Sequence, residues 1–184
     1  METFKLLVKK TDATDNLDEE WAINLLDSPT VENGPRDLLE VEDSETMLTL
    51  KFKTENGLYY AIGRLDREGI RSYRLGKKES MREKNRRLFQ RYFMKHHQIW
   101  NRETRHRVYV KSLDPYTEHT SMRYINEDEL WDHMNLLNDV CSVCMFADGR
   151  YGFVSFATNA SVWYTVGFFE NDLFYDVQAK KTIS

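Results

Sequence analysis

The feature that most limits how this chain can fold is one long stretch without Gly or Pro, which is also strongly basic. After Gly76 neither residue type occurs again until Pro115. Ser80 and Glu83 form a Ser-x-x-Glu pattern, in which the hydroxyl and the carboxylate bond the free amides of a first helical turn. The sequence therefore predicts a long central helix over residues 80–101.

The predicted central helix is amphipathic. Its large apolar residues fall on one side at about 100° per residue, and they are Met81, Leu88, Phe89, Tyr92, Phe93, Ile99 and Trp100. A basic row recurs at three- and four-residue steps along one flank of that stripe, and it consists of Lys84, Arg87, Arg91 and Lys95. Like charges at this spacing repel by a few tenths of a kcal/mol per pair. We therefore expect the row to face a compensating negative surface.

Charge is divided unevenly along the chain. The stretch from Arg71 to Lys111 holds fourteen of the 26 basic residues and three acids, which gives it a charge of +11 and leaves −15 elsewhere. The whole chain has a net charge of −4 and a pI near 5.8. An acidic remainder repels phosphates, so any contact with nucleic acid is expected to be local and oriented.

Two interpretations of the basic row compete. In the first, it docks against acids of the same chain, such as Glu40, Glu42, Asp43 and Glu45, or is simply solvated. In the second, it contacts phosphates or an acidic partner protein, because a positive stripe with aromatic neighbours is typical of nucleic-acid contact. RNA or single strands are the preferred ligand, with Tyr92 or Trp100 stacking on bases. The predicted nucleic-acid-binding residues are Arg82, Lys84, Arg86, Arg87, Arg91, Lys95, Arg105 and Arg107.

An acidic segment suggests a second class of function. Residues 27–46 combine Ser-Pro and Asn-Gly-Pro with a dense group of acids, which predicts a loop or covering segment. Its acids would suit an inhibitor or immunity-type protein that binds a basic target protein. Paired carboxylates could also hold a metal, but a solvated edge explains them more simply, so we assign no metal site.

The remaining patterns predict an α+β fold, with one domain over 1–184 and an antiparallel sheet packed against about three helices. Asn126 and Glu129 predict the start of a helix. The Asn56-Gly57 dipeptide predicts a hairpin of strands 47–53 and 58–65. A four-stranded meander is predicted over 140–178, with strands at 140–147, 151–157, 161–169 and 173–177. No fixed-period repeat is visible, although a strand pair followed by a helix occurs twice.

Nothing in the sequence identifies an enzyme. The glycine-rich phosphate loops, the Gly-x-Ser-x-Gly elbow and His-Glu-x-x-His are all absent. A metal-independent ribonuclease could use histidines as general base and acid, and the candidates are His96, His97, His106 and His119. Ordinary core or surface positions explain these histidines more simply, so we predict a non-enzymatic protein without cofactor.

Two further observations concern cysteines and location. Cys141 and Cys144 lie in a predicted strand, where residues three apart point to opposite faces, so we expect buried free thiols. No uncharged run approaches the length that spans a bilayer, and the sequence starts without a secretory signal. The sequence therefore predicts a cytoplasmic protein without membrane contact.

Overall fold

The computed structural model describes residues 3–10, 17–26, 37–75, 106–113, 125–146 and 149–179. The predicted central helix lies outside these ranges, as do residues 27–36 of the acidic segment and all predicted nucleic-acid-binding residues except Arg107. In the described ranges the chain forms β1 (Phe4–Lys9), α1 (Glu19–Leu26), β2 (Leu38–Asp43), β3 (Met47–Phe52), α2 (Glu55–Arg67), β4 (Tyr73–Arg74), β5 (Arg107–Ser112), α3 (Glu127–Met134), β6 (Val140–Phe146), β7 (Tyr151–Phe156), α4 (Asn159–Phe168) and β8 (Tyr175–Ala179).

The chain runs twice through the same order of elements, strand, helix, strand, strand, helix, strand. The first pass, residues 3–75, is called the N-terminal unit, and the second, residues 106–179, the C-terminal unit. Their sheets have strand orders β2-β3-β1-β4 and β6-β7-β5-β8, and all neighbours are antiparallel. Each unit thus has the ferredoxin-like split β-α-β topology, which confirms the predicted α+β class with antiparallel sheets.

The duplication extends to irregular details of the backbone. The register of β2 against β3 shifts between Leu38 and Glu40, and that of β6 against β7 shifts between Val140 and Ser142. A bulge of this kind inserts one extra residue into a strand and bends it. Because the two bulges occupy the same place in each unit, the units share their geometry as well as their connectivity.

The long helices also begin in the same way. Thr54 caps α2 and Thr158 caps α4, each accepting a hydrogen bond from the amide three residues later. Each threonine hydroxyl in turn donates to an aspartate that directly precedes an edge strand, Asp37 in the N-terminal unit and Asp139 in the C-terminal unit. The helix start is therefore tied to the sheet by an equivalent threonine–aspartate pair in both units.

The two units pack together through α2 and α4, which approach closely at two glycines. A Cβ at Gly63 would lie 2.1 Å from the carbonyl oxygen of Tyr164, and one at Gly167 would lie 2.2 Å from that of Tyr60. Both glycines follow their own unit's tyrosine by three residues. The contact is therefore reciprocal, as in a two-fold symmetric pair, and only glycine permits it on either side.

The same two tyrosines extend the reciprocal contact with their hydroxyl groups. Tyr164 donates to Asp66 Oδ2 at 2.5 Å, and Tyr60 donates to Glu170 Oε2 at 3.3 Å. Burial, together with the charge of Glu170, raises the pKa of the Tyr60 hydroxyl, so it remains a donor at neutral pH. Each tyrosine thus crosses the junction and binds an acid at the end of the other unit's helix.

Two predicted strands are helices. Residues 58–65 lie in α2, because Thr54 supplies a helix cap and Asn56-Gly57 forms part of the first turn instead of a hairpin turn. Residues 161–169 lie almost wholly in α4, which is apolar on several sides because it packs against both α2 and its own sheet. A helix that is buried on several sides has no clear amphipathic period. The alternating apolar residues of 161–169 therefore resembled a strand pattern.

The predicted four-stranded meander over 140–178 is therefore wrong in its connectivity. Only β6 and β7 form a hairpin, and β8 pairs with β5 on the far side of the sheet. The prediction that Asn126 caps a helix is confirmed, because its Oδ1 accepts from the Glu129 amide at 2.7 Å. This helix, α3, covers the sheet with its buried residues Leu130 and Met134.

The helices cover one face of each sheet. In the C-terminal unit Val108, Val110 and Val154 point into the core formed with α3 and α4. In the N-terminal unit Leu6, Val8, Leu48 and Leu50 point into the core with α1 and α2. Because α2 and α4 contact each other, the other faces of the two sheets point away from the junction, and these are called the open faces.

Candidate nucleic-acid interface

The open face of the C-terminal sheet is built by the two central strands. Along β5 the buried Val108 and Val110 alternate with the half-buried Arg107 and Tyr109. The strand period of two places Arg107 and Tyr109 on the open face. The two side chains therefore lie next to each other on the face of the sheet that the helices leave uncovered.

Neighbouring strands bring more aromatic rings to this face. Phe153 on β7 pairs with Tyr109, and Tyr151 pairs with Lys111. Phe146 at the end of β6 pairs with Tyr151 and is 42% exposed. Residues opposite each other in an antiparallel pair lie on the same face. We call the four rings, Tyr109, Phe146, Tyr151 and Phe153, the aromatic platform.

The rings of the aromatic platform are in mutual contact. The centroid of Tyr109 lies 5.5 Å from that of Phe153 and 5.7 Å from that of Tyr151. Phe146 lies 5.6 Å from Phe153 and 6.1 Å from Tyr151. Such spacings are normal for interacting aromatic pairs. The four side chains therefore form one continuous surface instead of separate exposed rings.

Arg107 extends the aromatic platform with a positive charge. Its guanidinium carbon lies 4.7 Å from the ring centroid of Phe153, which is within the range of a cation–π contact. Its Nε is buried and has no hydrogen-bond partner in the described part of the chain. Arg107 is thus a fixed cation with an unused donor on the same face as the rings.

A glycine in β7 explains how the strands pack beneath the platform. A Cβ at Gly152 would lie 2.5 Å from the carbonyl oxygen of Cys144 and 2.8 Å from the sulfur of Met145. The position between Tyr151 and Phe153 therefore cannot carry a side chain without moving β6. Gly152 lets β6 and β7 approach, which keeps Phe146 beside the other rings.

The sequence contained a signal for this site that we did not use. RNA-recognition motifs carry the pattern Lys/Arg-Gly-Phe/Tyr-Gly/Ala-Phe-Val-x-Phe/Tyr on one strand, and they stack bases on its aromatic rings. Residues 151–156, Tyr-Gly-Phe-Val-Ser-Phe, match its last six positions. The two preceding residues, Gly149 and Arg150, occur in the reverse order. The match also falls on a central strand of a four-stranded sheet, as in those motifs.

The open face of the N-terminal sheet has no equivalent platform in the described residues. Leu7 pairs with Thr49 at the position of the Tyr109–Phe153 pair, and Met47 stands where the C-terminal unit has Tyr151. A tyrosine does lie on edge strand β4, where Tyr73 is 48% exposed and has the Lys9 ammonium 5.5 Å from its ring centroid. Within the described ranges, only the C-terminal unit therefore presents contiguous rings.

The acids that we expected to neutralise the basic row have local partners in part. Glu40 lies 3.6 Å from the Lys51 ammonium, and Asp43 forms an ion pair with Lys10. Glu42 and Glu45 are exposed. The basic row lies outside the described residues, so its contact with these acids stays a prediction.

The described ranges contain few of the residues on which the enzymatic and metal-binding alternatives depend. His96, His97 and His119 lie outside them, and His106 directly precedes β5. No group of three or more His, Cys, Asp and Glu residues suited to a metal occurs in the described ranges. Both cysteines are free thiols, as predicted, but Cys144 is exposed because it lies on the open face.

Comparison with known proteins adds no assignment. The chain matches no protein-family model and has no significant similarity to a curated protein. Among the described helices, none is long and apolar enough to cross a membrane.

Proposed function

We propose that this protein binds single-stranded nucleic acid, with RNA preferred, on the open face of its C-terminal sheet. The observation that carries the proposal is the aromatic platform on the central strands, with Arg107 beside it. Tyr109, Tyr151 and Phe153 stack on bases, and Phe146 closes one side of the surface.

Stacking suits this surface because it needs ring faces more than charge. Base–aromatic stacking contributes about 1–3 kcal/mol per base and tolerates any base. Burial and the proximity of Tyr151 and Asp176 raise the pKa of the Tyr109 hydroxyl, so this ring stays neutral on approach of a phosphate. The resemblance of residues 151–156 to the RNA-recognition pattern supports RNA over DNA.

Arg107 has a separate role in this proposal. A guanidinium stacked on Phe153 is planar, so it can extend the stack under a base and donate hydrogen bonds to a phosphate or to a base edge. The basic row of residues 84–95 adds long-range attraction for the same strand. Few phosphates are contacted, so we expect binding to weaken with salt less steeply than for a strongly basic protein.

The decisive experiment measures fluorescence anisotropy of a fluorescein-labelled, unstructured ten-nucleotide RNA. The test variant is Tyr109→Leu with Phe153→Leu, which removes both rings but keeps apolar volume in the sheet. The loss of one or two stacked bases should weaken binding by about tenfold or more. The same assay with DNA of the same sequence tests the preference for RNA.

A matched control comes from the N-terminal sheet. Leu7→Ala with Thr49→Ala alters the equivalent strand pair and should leave RNA affinity unchanged. Circular dichroism and thermal unfolding check that both variants fold. Equal affinity of the variant Tyr109→Leu with Phe153→Leu and of the natural protein would exclude the aromatic platform as the binding surface.

The basic row is tested separately by Arg87→Glu with Arg91→Glu. If the row attracts the strand, this variant lowers affinity most at low salt, because screening removes long-range attraction at high salt. A loss that is the same at all salt concentrations would argue against this role for the row.

A further inference from the structure

A cavity lies at the junction of the two units, on the side of the C-terminal sheet that the helices cover. Its volume is about 440 Å³, within the range of about 300–1,000 Å³ that is usual for ligand pockets. Arg67 at the end of α2 forms one wall, and the rest comes from the C-terminal unit: His133, Leu136, Phe168, Phe169, Asp172, Phe174 and Tyr175. It is thus separated by the sheet from the aromatic platform.

The polar groups in the cavity wall are bonded to one another. Arg67 Nη2 lies 2.5 Å from Asp172 Oδ1, and Asp172 Oδ2 accepts from the amides of Phe174 and Tyr175, both at 2.9 Å. His133 Nδ1 is in hydrogen-bond contact with the Tyr175 hydroxyl. Because Arg67 is paired with Asp172 and His133 contacts Tyr175, most of the remaining wall consists of aromatic rings and the aliphatic side chain of Leu136.

The walls are arranged for a flat group. The Arg67 guanidinium carbon lies 5.2 Å from the ring centroid of Phe168 and 6.0 Å from that of Phe169. Phe169 and Tyr175 meet edge to face at 5.8 Å. Phe174 is 38% exposed and the adjacent Leu173 is 68% exposed. An aromatic ring inserted here would stack against these rings and remove their apolar surface from water.

The surface beside the cavity is acidic. Helix α3 begins with Glu127, Asp128 and Glu129, and Asp132 lies in its middle. Residues four apart share a face of a helix. Glu129 therefore lies on the same face as the cavity residue His133, and Asp132 directly precedes His133 in the helix. A segment that reaches the cavity across α3 meets negative charge.

From the apolar interior and the acidic approach, we propose that this cavity binds an aromatic side chain, with tryptophan the best fit, from a basic segment of a partner protein. The ring fills the space between Arg67, Phe169 and Phe174. Lysine and arginine residues that flank the ring pair with the acids of α3. The site is independent of the proposed RNA surface, because it lies on the other side of the C-terminal sheet.

The test uses a fluorescein-labelled hexapeptide, Lys-Arg-Lys-Trp-Lys-Arg, and fluorescence anisotropy. We expect saturable binding that falls by about tenfold when Ala replaces the Trp of the peptide. An acidic hexapeptide with Trp at the same place should bind more weakly than the basic one. Both comparisons use the chain without substitutions, so they do not depend on the stability of a variant.

Variants of the protein then locate the site. Phe174→Ala removes an exposed wall of the cavity and should weaken peptide binding by about tenfold, and Asp132→Lys should weaken it by about threefold and reduce its salt dependence. The matched control is Glu20→Lys, an exposed acid in the first turn of α1. RNA affinity should be unchanged in all three variants.

Three results would overturn the proposal. The first is absence of saturable binding, and the second is equal binding of the Trp and Ala peptides, which would indicate charge attraction alone. The third is displacement of the peptide by RNA together with loss of binding in Tyr109→Leu, which would place the peptide on the aromatic platform. None of these results would affect the RNA-binding proposal.

Discussion

The two units of this chain share a topology but differ on their open faces. On the helix side, equivalent strand positions are filled alike, with Leu6 and Phe52 in one unit and Val108 and Phe156 in the other. On the open side, the N-terminal unit has the pair Leu7 and Thr49 where the C-terminal unit has the pair Tyr109 and Phe153. The buried positions are limited by the packing of the helices, whereas the open positions are not, so any difference in function is expected to lie there.

The comparison also covers the ionisable groups at the helix starts. Asp139 is fully buried, and its Oδ1 has no hydrogen-bond partner among the described residues. Asp37, its counterpart, is half-buried. The same threonine–aspartate connection therefore lies in two different environments, which makes the two units a matched pair for experiments.

The largest expected effect is on the reciprocal glycine contact. Gly63→Ala or Gly167→Ala would place a methyl group against a backbone carbonyl and should lower the free energy of unfolding by about 3 kcal/mol. Urea denaturation measures the loss. Asn24→Ala on the exposed side of α1 is the control. A clear difference between the losses of the two glycine variants would show that the two sides of the junction contribute unequally to stability, although their geometry is alike.

The next effect concerns pH and Asp139. Burial raises the pKa of this carboxyl from 3.8 to about 7, and hydroxyl donors offset this only in part. The folded protein therefore holds the proton more tightly than the unfolded chain, so stability is greatest below about pH 4 as far as this group is concerned. It should fall as pH rises to about 7.

Asp139→Asn tests this pH dependence. The amide keeps an oxygen that accepts from Ser161 and Thr158 but carries no charge, so the variant should be more stable than the natural protein at pH 8. Thermal unfolding from pH 4 to pH 8 measures the slope. Asp37→Asn is the control and should leave the slope in place. An unchanged slope in Asp139→Asn would assign it to other groups.

The smallest effect concerns the helix caps. Thr54→Ala and Thr158→Ala each remove a side-chain oxygen that accepts a backbone amide, which costs about 1 kcal/mol. We expect the larger loss for Thr158, because its hydroxyl also donates to the buried Asp139. Urea denaturation of the two variants compares them directly. Equal losses would mean that burial of the aspartate does not add to the cap.

The sequence was sufficient for the fold class and for features that depend on local residues. It predicted the Asn126 cap of α3 and the strands on either side of Gly149. It was misleading for α2, where the Asn56-Gly57 dipeptide indicated a hairpin turn, and for α4, whose helical period is hidden because the helix is apolar on several sides. Gly63 and Gly167 added to the error, because glycine in a helix interior is usually unfavourable and here serves the close approach of two helices.

Of the candidate site only Arg107 was predicted, because the aromatic platform depends on pairing between distant strands. Tyr109 and Phe153 are neighbours only through the register of β5 and β7, and Phe146 joins them from β6. The duplication of the two units was not predicted either, because equivalent residues are seldom identical. Equivalent positions such as Leu17 and Ile125, or Leu26 and Met134, share burial and not identity.

The reciprocal contact of Tyr60 and Tyr164 with the opposite glycines has one more consequence. A surface that complements its own copy is the mark of two identical subunits related by a two-fold axis. Here both copies belong to a single polypeptide, so a substitution on one outer surface is not imposed on the other. The covalent link thus allows the outer surfaces of the two halves to diverge while the contact between them is kept.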